Sequence, residues 1–248
     1  METEQQPVQT KKEKKEIKRQ AREDERVRQV RTRQTKKYLT RGLVLGIIVL
    51  SIVGVSKMMQ QSAVPPSIVS TEVLQVQVDD WTKGTADSSV KLIEYLDFEC
   101  EACGAYFPLV KRLSEEYGDR VTFVSRYFPL PSHKNSMTSA LAVEAAGKQG
   151  KYWEMHDLLF AEQQNWGELA APDPTIFERY AEQLGLNMER YKQDVGSQEV
   201  KDRVIRDRDA GNQLGVNSTP SFFLNGEKIQ NPRGYEAFVT LLEDALQQ

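Results

Sequence analysis

The chain has little cysteine and little histidine. Among its 248 residues there are two cysteines, Cys100 and Cys103, and two histidines, His133 and His156. Two cysteines cannot build the dense disulfide framework of a small secreted domain, so the fold depends on an ordinary hydrophobic core. The same scarcity leaves few soft ligands for a zinc site.

Long apolar runs are also scarce. Hydrophobic residues make up 39% of the chain and charged residues 28%. This composition is too apolar for a wholly disordered chain and too polar for a membrane protein with many spans. The length suits one folded domain of about 150–200 residues with additional segments.

The charge is distributed unevenly along the chain. Residues 1–41 contain 14 Lys and Arg against 7 Asp and Glu, whereas residues 42–248 contain 19 against 29. This contrast predicts a basic tail over 1–41 that is separate from an acidic body. Nucleic-acid binding by the tail is disfavoured, because its charges are mixed in sign and no aromatic residue precedes Tyr38.

One uncharged run follows the tail, GLVLGIIVLSIVGVS. With its flanks it approaches the length that crosses a bilayer and predicts a single transmembrane anchor over 42–59. A buried soluble helix is a poor alternative, since the preceding tail offers nothing to pack against. A cleaved signal peptide is also a poor alternative, because the basic region is too long and QQSAVPP is a weak cleavage site.

The flanking charges predict the orientation of this anchor. The excess of Lys and Arg before the span places the N-terminus in the cytoplasm of a bacterial cell, against the anionic membrane lipid, and the acidic body outside. Residues 60–74 contain Pro65 and Pro66 and are expected to form a stiff linker to a folded domain over 75–248.

Periodicity predicts an α/β fold for this domain. Strands are predicted at Val90–Leu96, Val121–Phe128, Ser221–Leu224 and Glu227–Ile229, with a turn at Asn225–Gly226. The first two should pair in parallel around a helix over Cys100–Tyr117. Further helices are predicted at Thr138–Lys148, Tyr152–Phe160, Pro174–Leu184, Met188–Asp194, Val200–Leu214 and Tyr235–Ala245.

The two cysteines lie where the first strand gives way to a helix, in the sequence Leu96-Asp97-Phe98-Glu99-Cys100-Glu101-Ala102-Cys103. The free N–H groups and the dipole of a helix N-terminus favour a thiolate at the first cysteine. The second lies one turn further on and more buried. This spacing predicts Cys100 as the exchanging nucleophile and Cys103 as the resolving thiol.

The cysteine pair could instead serve one of four other purposes, each of which fits less well. Zinc would require further ligands, and His133 and His156 lie far downstream in no standard spacing. A structural disulfide over so short a loop contributes little. Free buried thiols would be oxidised outside the cytoplasm. Haem attachment requires a histidine after the second cysteine, where Gly104 stands.

Three stretches resemble the DsbA-like branch of the thioredoxin superfamily over about residues 75–248. They are IEYLDFECEAC, SRYFPLPSHKNSMTSALAVEAAGKQGKYWEMHDLLF and NSTPSFFLNG. The resemblance implies a thioredoxin fold with an inserted helical domain over about 135–210. It also implies that the bond before Pro220 is cis and that Thr219 lies beside the sulfurs, where its backbone binds a substrate chain.

The same resemblance assigns Glu94, six residues before Cys100, to the buried carboxylate that assists proton transfer at the resolving cysteine. From the residues alone, a carboxylate on a core strand suggests a role because its burial is costly. Glu94 would lack that role if it pointed to solvent from an edge strand. From the residues alone, Pro220 is an ordinary proline at the start of a strand, because most bonds before proline are trans.

The sequence departs from the strongly oxidising family members between its cysteines. Those members carry Pro-His, whereas this chain has Glu101 and Ala102, with Glu99 just before. Acidic neighbours disfavour a thiolate, which predicts a less oxidising pair. His133 and His156 are expected to be surface or packing residues.

These observations predict a membrane-anchored thiol–disulfide oxidoreductase without an organic cofactor. Its partners would be cysteine-containing exported proteins and a membrane protein that recycles the pair. Oxidative folding fits the family, while reduction or isomerisation fits the acidic dipeptide. A tethered chaperone-like binding module and a metal-binding domain are the alternatives.

Overall fold

The computed structural model describes residues 73–167, 169, 171 and 173–247. The described residues form a five-stranded sheet with helices, and the strand order is β1-β3-β2-β4-β5. The strands are β1 (Trp81–Gly84), β2 (Val90–Leu96), β3 (Val121–Tyr127), β4 (Ser221–Leu224) and β5 (Glu227–Ile229). The helices are α1 (Glu101–Tyr117), α2 (Ser136–Gly147), α3 (Tyr152–Ala161), α4 (Gln163–Trp166), α5 (Pro174–Gln183), α6 (Met188–Val195), α7 (Gln198–Gln213) and α8 (Tyr235–Leu246).

The predicted parallel pair is confirmed. β2 and β3 run parallel, with Val90 opposite Val121 and Leu96 opposite Tyr127. The other pairings are antiparallel: β1 with β3, β4 with β2, and β5 with β4. Because β2 lies between β3 and β4, its backbone is paired along both edges, and all of its side chains except that of Lys91 are buried.

Side-chain alternation along β2 separates two cores. Leu92 packs in a cluster with Leu113 of α1 and Phe238 of α8, whereas Ile93 packs on the opposite face with Phe223. Glu94 therefore shares the face of Leu92, which lies under α1. This alternation directs a carboxyl group toward the helix that begins at the cysteine pair.

The helices α2 to α7 lie between β3 and β4 in the chain. Their buried residues form a cluster of their own that includes Val143, Leu159 and Trp166, and this cluster extends to Cys100 and Cys103. The helical block and the cysteine pair thus share one apolar core.

Two short elements escaped sequence prediction. β1 has the sequence WTKG, which lacks a run of β-branched residues, and α4 is too short for helical periodicity. β1 is held by tertiary contacts instead: Trp81 stacks on Tyr152 with ring centroids 4.4 Å apart, and its Nε1 donates to Glu144 at 2.7 Å.

No helix of the described part of the chain is long and apolar enough to cross a membrane. The predicted basic tail and transmembrane anchor, together with the linker up to residue 72, lie outside the described residues.

Candidate active site at Cys100 and Cys103

The cysteine pair lies at the junction between β2 and α1, as the sequence predicts. Cys100 is the N-cap of α1 and has extended backbone angles, φ −69° and ψ 117°. Its N–H donates to the Asp97 carbonyl at 3.1 Å, and its carbonyl accepts from Gly104 N–H at 3.0 Å. These bonds hold the first sulfur where the unpaired amides of the helix converge.

Cys100 has the properties of a stabilised thiolate. A hydrogen bond from Cys103 lowers the pKa of Cys100 to about 5 despite its burial, with help from the backbone N–H groups of Cys103 and Ala102. Cys100 is 8% exposed, and its Sγ lies 3.3 Å from the Thr219 carbonyl oxygen.

Cys103 has the opposite properties. It is fully buried, and both cysteines are free thiols. Burial raises the pKa of Cys103 well above its usual value, and the hydrogen bond to Cys100 and the charge of Glu94 raise it further. Its Sγ accepts a long hydrogen bond of 3.5 Å from Asp97 N–H. The two thiols therefore differ strongly in acidity.

Glu94 is buried on the central strand rather than exposed at an edge. It is 8% exposed and lies opposite Ser125 of β3 and Phe222 of β4. Burial, with a smaller contribution from the charge of Cys100, raises the pKa of Glu94 to about 8. Its carboxyl group is therefore mostly protonated at neutral pH.

A narrow cavity of about 30 Å³ connects Glu94 with charged groups near the surface. Its walls include Phe107 and Trp153, and Lys111 and Asp157 line it too. The last two form an ion pair of 2.8 Å and are partly exposed. The cavity has room for one or two water molecules, which could exchange protons with Glu94.

Thr219 and Pro220 face the cysteine pair from the segment between α7 and β4. The Thr219–Pro220 peptide bond is cis, which confirms the expectation from the family resemblance. The Thr219 carbonyl is the group that contacts the Cys100 sulfur. The structure thus brings together all five residues singled out from the sequence: Glu94, Cys100, Cys103, Thr219 and Pro220.

Sequence reasoning missed a clamp from the helical block onto the active-site loop. The Gln163 side-chain amide donates to the carbonyls of Phe98 and Cys100 at 2.7 and 2.9 Å. The Glu99 carboxylate accepts from Asn135 N–H at 2.6 Å and from its Nδ2 at 3.1 Å. These partners lie 36 to 65 residues apart in sequence, so no local pattern could have revealed them.

The two histidines have different surroundings. His156 is buried among aromatic rings, including those of Phe98, Phe107 and Phe160, and burial lowers its pKa. It is a packing residue, as expected. His133 is partly exposed, and its Nδ1 lies 2.8 Å from the buried Asp97 carboxylate.

Within the described ranges, no group of three or more His, Cys, Asp and Glu side chains is arranged to hold a metal ion.

A family model described as thioredoxin matches residues 77–244, which is more than half of the chain.

Curated relatives match the same part of the chain. They include Na(+)/H(+) antiporter NhaA 3 of Salinispora tropica, 39% identical over 168 residues, which are 66% of this chain and 25% of that protein. Na(+)/H(+) antiporter NhaA 1 of Mycolicibacterium gilvum is 32% identical over 187 residues, which are 72% of this chain and 29% of that protein. The chain thus spans between a quarter and a third of these relatives.

Several solved structures share the fold. Alpha-DsbA1 of Wolbachia pipientis superposes with a TM-score of 0.65 at 22% identity and covers 72% of this chain and 96% of its own. A thioredoxin-like oxidoreductase of Silicibacter pomeroyi gives 0.60 at 22% identity, with coverage of 74% and 99%. Oxidised BdbD of Bacillus subtilis gives 0.59 at 23% identity, with coverage of 67% and 92%.

Proposed function

The chain belongs to the thioredoxin family, and on that premise we propose that it is a protein thiol–disulfide oxidoreductase that acts through Cys100 and Cys103. One observation carries the proposal. The first cysteine is the N-cap of a helix with a pKa of about 5, and the second is a fully buried neutral thiol one turn later. This difference in acidity assigns attack to one sulfur and resolution to the other.

The exchange proceeds in two steps. The Cys100 thiolate attacks one sulfur of a client disulfide, forms a mixed disulfide and expels a client thiolate. Cys103 then loses its proton, attacks the Cys100 sulfur, closes the intramolecular disulfide and expels the second client thiolate. The client gains two electrons and the cysteine pair loses two; the reverse sequence oxidises a client dithiol.

Glu94 supplies the proton acceptor for the second step. Once Cys100 is in the mixed disulfide, it no longer carries the charge that raises the pKa of Glu94. The carboxyl group then ionises more readily and can take the proton of Cys103, directly or through water in the cavity. In the reverse direction the protonated carboxyl donates to the departing Cys103 thiolate.

Thr219 and Pro220 form the binding edge for the client. The Thr219 carbonyl lies 3.3 Å from the Cys100 sulfur, just before β4, and an extended client peptide would pair with the main chain at this place. Main-chain pairing requires no particular client sequence, which suits a protein that acts on many unfolded chains.

The enzyme works outside the cytoplasm, anchored to the bacterial cell membrane by residues 42–59. The uncharged run behind a basic tail supports this location. The clients of the enzyme are cysteine-containing exported proteins, and a membrane redox partner recycles the cysteine pair.

Trapping tests the proposed function. We expect Cys103→Ala to accumulate a mixed disulfide at Cys100 when it is mixed with a disulfide-bonded peptide at pH 7, because the resolving thiol is absent. Cys100→Ala should react at least about tenfold more slowly, since its remaining thiol is buried and protonated at this pH. Intact mass before and after reductant measures the adduct.

The variant with both cysteines replaced by alanine serves as the control. It should form no adduct with the same peptide. Equal adduct formation by both single variants, or none by either, would refute the assignment. Tight binding of unfolded peptide by the double variant, without an adduct in Cys103→Ala, would favour the chaperone-like module instead.

A further inference from the structure

We propose that His133, held by Asp97, is a positioning residue that stabilises the Cys100 thiolate from outside the cysteine pair and makes the disulfide more oxidising. The inference deepens the proposed function, because it concerns the same exchange reaction. It assigns to the loop between β3 and α2 a role that the strongly oxidising family members give to a histidine between the two cysteines.

Asp97 connects His133 to both sulfurs. Its carbonyl accepts from Cys100 N–H at 3.1 Å, and its own N–H points to the Cys103 sulfur at 3.5 Å. Its carboxylate accepts from the N–H groups of Glu99 and Leu130, both at 2.9 Å, and lies 2.8 Å from His133 Nδ1. One residue thus fixes the active-site loop and the imidazole together.

The surroundings of His133 favour its charged form. The Asp97 side chain is fully buried and lies 2.8 Å from His133 Nδ1, and a cation at this distance stabilises a buried carboxylate. The imidazole is 28% exposed and keeps contact with solvent. The pKa of His133 lies above its usual value. Burial lowers this pKa, but the hydrogen bond to Asp97 and the negative charges of Asp97, Cys100 and Glu99 raise it by more.

The interaction between His133 and Cys100 is reciprocal. Asp97 holds the imidazole against the loop that carries Cys100, since it contacts both His133 Nδ1 and the Cys100 N–H. A protonated imidazole at this place favours the thiolate, and the charge of the thiolate in turn favours the protonated imidazole. Formation of the disulfide removes the thiolate and its effect on His133. A pair whose reduced form is stabilised in this way is a stronger oxidant. His133 therefore opposes the weakening expected from Glu99 and Glu101.

Two measurements test this inference. In an NMR titration of the wild-type chain, the pKa of His133 should be higher in the reduced than in the oxidised state. In redox equilibrium with glutathione at pH 6, His133→Gln should lower the oxidising strength, with the equilibrium constant shifting about 3- to 10-fold. At pH 9 the shift should nearly vanish, because His133 is then neutral.

A variant that keeps the charge separates this role from a merely structural one. His133→Arg should retain most of the wild-type equilibrium constant at pH 6. At pH 9 it should still stabilise the Cys100 thiolate, because arginine stays charged. Equal shifts for His133→Gln at both pH values, or an unchanged His133 pKa between redox states, would overturn the inference. If wild-type protein did not exchange with glutathione at all, the proposed function would fail first.

Discussion

Replacing Glu94 with glutamine is expected to stabilise the reduced protein by roughly 4 kcal/mol at pH 8 and by almost nothing at pH 4. The pKa of Glu94 is about 8 in the folded chain, against 4.5 for an ordinary glutamate. Between these values the unfolded chain releases the proton and the folded chain keeps it. Folding stability is therefore lost as the pH rises, and glutamine removes that loss.

The same substitution should slow disulfide exchange. Without a carboxyl group to accept its proton, Cys103 ionises slowly, and resolution of the mixed disulfide at pH 7 should fall roughly 10- to 100-fold. Attack by Cys100 should change little. Denaturant unfolding at several pH values and single-turnover kinetics with a disulfide peptide measure the two effects.

Glu101→Gln is the matched control for both measurements. It removes a carboxylate from an exposed position of the same active-site motif, so its effect on stability should stay within about 0.5 kcal/mol at every pH. A stability gain for Glu94→Gln that did not depend on pH would contradict the buried, protonated carboxyl group.

Replacing Cys100 with serine is expected to destabilise the reduced protein by roughly 3.5 kcal/mol more at pH 8 than at pH 5. The folded pKa of Cys100 is about 5, against 9.0 for an ordinary cysteine. This depressed value stabilises the folded state fully above pH 9, and the contribution disappears as the pH falls through 5. Serine keeps the shape but does not ionise.

The measurement is best made in a Glu94→Gln background, because the charge of Cys100 raises the pKa of Glu94 and its loss in Cys100→Ser would also change the contribution of Glu94. Cys103→Ser is the control. The serine hydroxyl can still donate the hydrogen bond that lowers the pKa of Cys100, and the Cys103 thiol is neutral in the folded chain throughout this range, so the cost of this substitution should change little between pH 5 and pH 8. A cost of Cys100→Ser that was equal at pH 5 and pH 8 would mean that the thiolate contributes no stability.

Local patterns predicted much of this molecule. β2, β4 and β5 have the bounds that alternation and turn residues indicate, and α1 begins one residue after the predicted start, since Cys100 caps it. The cysteine pair followed from its position between a strand and a helix. These features depend on residues close together in the chain, so the sequence contains their signal.

The contacts that shape the site were beyond such reasoning. Asp97 meets His133 across 36 residues, and Gln163 meets Cys100 across 63. Neither pair of residues shares a periodic pattern, and both contacts depend on how the segment between β3 and β4 packs against the sheet. A single sequence could therefore identify the two reacting sulfurs but not the residues that tune and clamp them.

The most direct measurement is the titration of the reduced protein by thiolate absorbance near 240 nm. We predict one thiolate that appears with a midpoint near pH 5, is absent in Cys100→Ser and persists in Cys103→Ser. If both cysteines instead ionised near pH 9, or if the midpoint near pH 5 remained in Cys100→Ser, the assignment of attack to Cys100 and of resolution to Cys103 would be wrong.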